Sequence, residues 1–137
     1  MGAMAAFAYA YTQDPWNEIY FIANDLESSQ SRGFRALTNS IEANPRIKGW
    51  NITKSQILIP ESRTMFKALS TDYASEAGAN PGLTLWDELW AYMSEAKQRL
   101  YDELTPVPTR RNSMRLITTY AGFLNESDLL WELYEKL

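Results

Sequence analysis

The chain has 137 residues, a length that suits one domain, 1–137. It has neither Cys nor His, which excludes disulfides, Cys–His zinc sites, Ser–His–Asp triads and Cys–His nucleophiles together. Net charge is −4 and the 13 Lys and Arg are scattered, so there is no basic footprint for autonomous nucleic-acid binding, although DNA stays open as the partner of a larger assembly.

Hydrophobic residues make up 45% and charged residues 22%, the balance of a globular protein, and the many Trp and Tyr make a core feasible at this length. No apolar run approaches the roughly 18 residues of a membrane span, so no membrane contact is expected. The apolar start, Met4 to Tyr11, carries no basic residues and does not read as a signal peptide. Together with the lack of Cys this gives a cytoplasmic expectation. Met1-Gly2-Ala3 reads as a tag remnant with no structural weight.

Met4 to Thr12 is rich in Ala and aromatics and predicts the end of a buried helix, broken at Asp14-Pro15. Glu18 to Ala23 is a β-branched and aromatic run, which predicts a buried strand. Asn24, with Glu27 three residues on, resembles a capping box. Leu26, Gln30, Phe34, Leu37 and Ile41 then recur at helical spacing up to Asn44-Pro45. Trp50-Asn51-Ile52 and Gln56 to Ile59 are two candidate strands. Pro60 to Arg63 is a turn, and Thr64 to Leu69 the return strand of a hairpin. Ser70 to Gly82 reads as loop.

Leu83-Thr84-Leu85-Trp86 predicts a strand that ends abruptly in Asp87-Glu88. Leu89, Met93, Ala96, Leu100 and Leu104 predict one helix from there to Pro106 and Pro108. Met114 to Thr118 predicts another strand. Asn125 to Ser127 opens a last helix, with Asp128 favourable at its positive end and Leu129, Leu130, Leu133 and Leu137 on its apolar face. Helices alternating with strands predict an α/β fold with a mostly parallel sheet flanked by helices.

A buried parallel strand ending in two carboxylates delivers them to the ligand crevice of an open sheet. The first carboxylate can hold Mg²⁺ through water, and the second can orient or deprotonate an attacking water. On this reading Asp87 is the metal residue and Glu88 the catalytic base. The same string equally fits a strand end whose acids cap the next helix. Ile117-Thr118-Thr119-Tyr120-Ala121-Gly122 is a second strand running into small polar residues. Its hydroxyls suit sensing of a phosphate or its water, or a plain strand end turning at Gly122. Arg110-Arg111 offers guanidinium groups to a phosphate, or is a solvated loop pair.

Taken in order, the strand Leu83 to Trp86 with Asp87-Glu88, the helix around Arg99 to Leu104, Arg110-Arg111 and the strand into Thr118-Thr119 resemble the large terminase subunit of tailed phages. Ile22-Ala23-Asn24 and Ser29-Gln30 fit its strand after the P-loop helix and the start of the next helix. The resemblance runs from about Ala5 to Leu137. It implies an incomplete P-loop NTPase-like domain of RecA/ASCE type. Asp87 and Glu88 would form the Walker B motif, Thr118 and Thr119 the coupling motif, and Arg110 or Arg111 would stabilise phosphate. Tyr120 interrupts the family's Thr-Thr-Ala-Gly wording.

No G-x-x-x-x-G-K-[ST] occurs, because none of the six glycines precedes a lysine. The resemblance therefore implies a fragment without Walker A, inactive alone. Mg and ATP would serve the intact parent, with none bound by the fragment. The parent's partners would be double-stranded DNA, portal and small terminase subunit. The fragment's sheet would lack the strand that carries the P-loop, leaving an edge that closes up or pairs in a homo-oligomer. Two other readings stand beside this one. One is a stand-alone binding or structural domain that kept the fold and lost hydrolysis. The other is a Mg-dependent hydrolase that uses Asp87 with acids such as Asp72 and Glu76.

Overall fold

A computed structural model describes residues 1–24, 32–70, 79–123 and 126–136. The expectations for Leu26, Glu27, Ser29, Gln30, Asp72, Glu76, Asn125 and Leu137 lie outside the described residues.

Six strands form one sheet: β1 (Glu18–Ala23), β2 (Asn51–Ile52), β3 (Gln56–Ile59), β4 (Thr64–Ser70), β5 (Leu83–Asp87) and β6 (Met114–Thr118). Their order is β2-β3-β4-β1-β5-β6. The block β4-β1-β5-β6 is parallel, and β3 and β2 extend it antiparallel. The fold is thus α/β with a mostly parallel sheet. The hairpin expected around Pro60 is present, with Ile59 opposite Thr64. β2 is shorter than expected and omits Trp50, whose ring instead stacks against Phe7, Tyr11 and Phe66.

Alternation along β1 sorts the core into two layers. Ile19 and Phe21 point with Leu83 and Leu85 toward α1 (Gly2–Thr12) and α2 (Arg32–Glu42), where Ala6, Tyr9, Phe34, Leu37 and Ile41 close that face. Tyr20, Ile22 and Trp86 point the other way, into a cluster with Leu89, Tyr92, Leu100 and Tyr101. There α3 (Glu95–Glu103) packs, and Leu129, Leu130 and Leu133 of α4 (Asp128–Glu135) lean on the same cluster. β1 is one of the two middle strands and is buried on both faces, which is why it reads as a continuous apolar run.

Three expectations change. Gly2 and Ala3 belong to α1, which therefore begins earlier than Met4. The single helix expected from Leu89 to Leu104 is two elements, a 3-10 helix Leu89–Ala91 and α3. Glu88 takes a left-handed conformation (φ 55°) and Ser94 caps α3 by accepting from the Lys97 amide, so the chain turns twice where periodicity showed one helix. Met93 and Ala96, placed on the apolar face by spacing, are exposed as a result. Finally, α4 starts at Asp128. Ser127 Oγ does not cap it but accepts from the Phe123 amide at 3.2 Å.

β6 pairs with β5 on one side, and its other edge meets no strand among the described residues.

Candidate functional site

β5 and β6 run parallel with Asp87 opposite Thr118, so both residues arrive together at the carboxyl end of the sheet. The Thr118 hydroxyl lies 3.1 Å from Asp87 Oδ1 and 3.3 Å from the Trp86 carbonyl oxygen, and its single proton serves either acceptor. The next residues are tied across the same gap. The Glu88 amide donates to the Thr118 carbonyl at 2.8 Å, and the Trp90 amide donates to Thr119 Oγ1 at 3.1 Å. Asp87, Glu88 and Thr118 are thus joined directly, and Thr119 is tied to the same turn through the Trp90 amide.

That unit borders two clefts. Arg32, Asp87, Glu88, Thr118, Thr119 and Tyr120 line one of about 260 Å³. The other, about 300 Å³, shares Arg32, Asp87 and Thr118 with it and is closed by Met1, Gly2 and Ala3. Gly2 and Ala3 of α1 thus line the same cleft as Asp87. No acidic residue occupies the first turn of α1. The arrangement sets the Asp87 and Glu88 carboxylates, two hydroxyls and a guanidinium on one cleft. Such a cleft suits an anion together with a small hard cation held through water. Among the described residues no group of three or more Asp and Glu could hold a metal ion alone, so a cation here would keep most of its water or take ligands from an anion.

Beneath the acid turn lies Tyr92, which is 1% exposed and meets Trp86 edge-on at 5.4 Å between ring centroids. Burial pushes its phenol well above the ordinary value, and the Asp87 and Glu88 carboxylates push it further the same way. Arg115 packs 3.6 Å over the Tyr101 ring and 5.6 Å from that of Trp86, and donates to the Tyr101 carbonyl. These contacts fix the floor under the strand end.

Arg110 and Arg111 stand apart from this group. Arg110 donates to Asn80 Oδ1 at 3.4 Å and to the Trp16 carbonyl at 3.3 Å, which places it at the amino end of β1 and β5. A strand of β5's length separates it from Asp87, roughly 15 Å. The structure therefore brings Asp87, Glu88, Thr118 and Thr119 together and leaves the arginine pair at the opposite end. Sequence reading passed over Arg32 and Tyr92. Arg32 lies at the start of a helix whose apolar spacing drew attention elsewhere. Tyr92 sits five residues after Asp87 in a stretch read as plain helix.

No helix among the described residues is long and apolar enough to cross a membrane. No protein-family model matches the sequence, and no curated protein matches it. The architecture is that of a terminase-like α/β domain. The crystal structure of the HK97 bacteriophage large terminase superposes on 97% of this chain with a TM-score of 0.72 at 19% identity. At that identity the likeness concerns the fold. The chain spans 29% of the length of that terminase.

Proposed function

We propose that this chain is the Walker B and coupling portion of a terminase-like, P-loop NTPase-type ATPase domain. Asp87 holds Mg²⁺ through water, and Glu88 orients or deprotonates the water that attacks the γ-phosphate of ATP. Thr118 and Thr119 carry the state of the acid turn into β6. Arg32 adds a guanidinium at the cleft. The observation that carries this reading is the Thr118–Asp87 hydrogen bond at the carboxyl ends of two adjacent parallel strands, beside the start of α1. Arg110 and Arg111 take no part in the cleft of their own molecule. In a complete motor the partners would be double-stranded DNA, portal and a small terminase subunit.

The 137 residues hold no phosphate-cradling loop with its lysine, so this chain alone is expected to bind Mg·ATP weakly and not to hydrolyse it. Hydrolysis assays test both halves of the reading. The chain alone should match its Glu88→Ala variant. A protein extended upstream to supply the loop should hydrolyse ATP and lose at least about 100-fold with Glu88→Ala. An extended protein indifferent to Glu88→Ala would refute the assignment and favour a binding domain that kept the fold without the chemistry.

A further inference from the structure

α4 has no fully buried residue. Leu129 and Leu133 lean on the core, while Trp131 and Tyr134, three apart on the helix, stand side by side with ring centroids 5.8 Å apart. The Trp131 indole donates to the Phe123 carbonyl oxygen at 3.2 Å, which holds the ring in place. Opposite them runs the chain that leaves β6. Thr119, Tyr120, Ala121, Leu130, Trp131 and Tyr134 together line a groove of about 410 Å³. Tyr120 is 71% exposed and Tyr134 69%, so the groove opens to water and leaves large aromatic area uncovered.

Charge says what fits it. From Thr119 to Leu137 the sequence has the acids Glu126, Asp128, Glu132 and Glu135 against Lys136 alone. All four acids are exposed, and Lys136 is already engaged, 3.8 Å from Glu132. Asp128 and Glu135 stand three residues before and four after Trp131, so both neighbour it on the helix surface. On the other side, Thr119 and Tyr120 also line the cleft of Asp87 and Glu88, where Arg32 is the one cation. The groove is thus apolar in its walls and acidic on its flanks. Elsewhere the chain supplies cations to its own rings: Arg63 lies 5.5 Å over Trp16 and Arg115 3.6 Å over Tyr101. Among the described residues, which include every Lys and Arg, none lies over Tyr120, Trp131 or Tyr134. Nucleic acid suits the rings but not the charge, because its phosphates would meet these acids. A basic protein segment suits both. A guanidinium lies flat on aromatic faces and pairs with carboxylates, and its stem covers apolar surface.

We infer that this groove docks a basic, apolar-faced segment of a partner protein, with an arginine on the Tyr120, Trp131 and Tyr134 rings and the Asp128 and Glu135 carboxylates beside it. Thr119 lines the cleft as well and accepts from the Trp90 amide, so such a partner touches the acid turn without entering it. Docking needs neither nucleotide nor metal, and it stands or falls apart from the roles of Asp87 and Glu88.

The test is fluorescence anisotropy of a labelled peptide of alternating arginine and leucine, titrated with the whole chain. Tyr134→Ala should weaken binding about threefold or more, and so should Asp128→Asn combined with Glu135→Gln. These side chains are exposed, so the fold should hold. Two controls should leave binding unchanged: Tyr11→Ala, an exposed ring on α1, and Glu42→Gln combined with Glu61→Gln, the same charge change elsewhere. Glutamate in place of arginine in the peptide should abolish binding, and serine should weaken it. No binding of the arginine peptide, or equal losses in the controls, overturns the inference. So does equal or tighter binding of the serine peptide, which means a groove indifferent to charge, or of labelled single-stranded DNA, which means a nucleic-acid platform. Self-association in light scattering that Tyr134→Ala abolishes also overturns it, since a second copy would then be the occupant.

Discussion

The two ends of the sheet carry similar backbone strain and use it differently. At the amino end Trp16 (φ 62°), Arg63 (φ 55°) and Asn112 (φ 57°) are left-handed, and at the carboxyl end Glu88 (φ 55°) is. Each such residue costs about 1–2 kcal/mol relative to an ordinary conformation. At the amino end polar groups are joined around these residues. The Trp16 amide donates to the Ser62 carbonyl, Arg63 lies 5.5 Å over the Trp16 ring, and Asn112 donates to Gln13 Oε1. Tyr9 Oη reaches both the Gly82 and Asn112 carbonyl oxygens. At the carboxyl end the strained residue lines a cleft with Arg32, Asp87 and Thr118, and two orphaned donors, Trp90 Nε1 and Tyr92 Oη, follow within four residues, against one orphaned hydroxyl, Thr64 Oγ1, beside Arg63 at the amino end. Strain alone therefore does not mark a site here. What sets Glu88 apart from the other three is the cleft that it lines.

Four experiments sharpen this contrast. The largest effect belongs to the floor under the acid turn. Trp86 is 1% exposed and touches Tyr92, Tyr101 and Arg115, so Trp86→Ala should cost about 3–5 kcal/mol in chemical denaturation. The closed weave at the amino end comes next. A Cβ on Gly82 would lie 2.2 Å from Asn17 Oδ1 and 2.7 Å from Tyr9 Oη, so Gly82→Ala should cost about 1–3 kcal/mol. An unchanged midpoint would mean that the amino end is looser than its hydrogen bonds imply.

Relief of strain gives a smaller effect of opposite sign. Glu88→Gly should stabilise the fold by about 1 kcal/mol while abolishing any base chemistry. Arg63→Gly should gain less, because it also loses the contact with Trp16. Equal gains at both positions would erase the distinction between the ends.

The smallest effect is alkaline. Tyr92 and Tyr9 both ionise above the ordinary 10.0 in the folded chain, chiefly through burial. The folded state thus favours the protonated phenols. Their contribution is complete below pH 10.0 and falls as pH rises past that value, where the unfolded chain ionises first. Denaturation midpoints should decline above about pH 10, less steeply in Tyr92→Phe. An identical slope in Tyr92→Phe would contradict the buried placement of that phenol.

Much of this architecture was legible in the sequence. β1 and β6 fall where their β-branched runs ended, and the hairpin around Pro60 follows its turn residues. Asp87-Glu88 and Thr118-Thr119 were legible as two strand ends, and parallel register made them neighbours. The stretch from Glu88 to Ser94 was not legible. Apolar residues there keep helical spacing, but a left-handed residue and a capping serine break the helix, and periodicity is blind to both. Arg32 reaches the cleft only through tertiary placement, which single-sequence spacing does not encode. Arg110 and Arg111 share a chain order with the site but not an end of the sheet, since the loop before a parallel strand lies opposite the loop after it.

The central claim is that Asp87 is the metal-holding carboxylate of a nucleotide site. Calorimetry of Mg·ATP binding tests it most directly, on this chain and on a protein extended upstream of α1, each with and without Asp87→Asn. The account predicts weak or no binding by the chain alone and binding by the extended protein that Asp87→Asn weakens at least about tenfold, or roughly 1.4 kcal/mol. Binding by the extended protein that is unchanged by Asp87→Asn, or no binding by either, would contradict it.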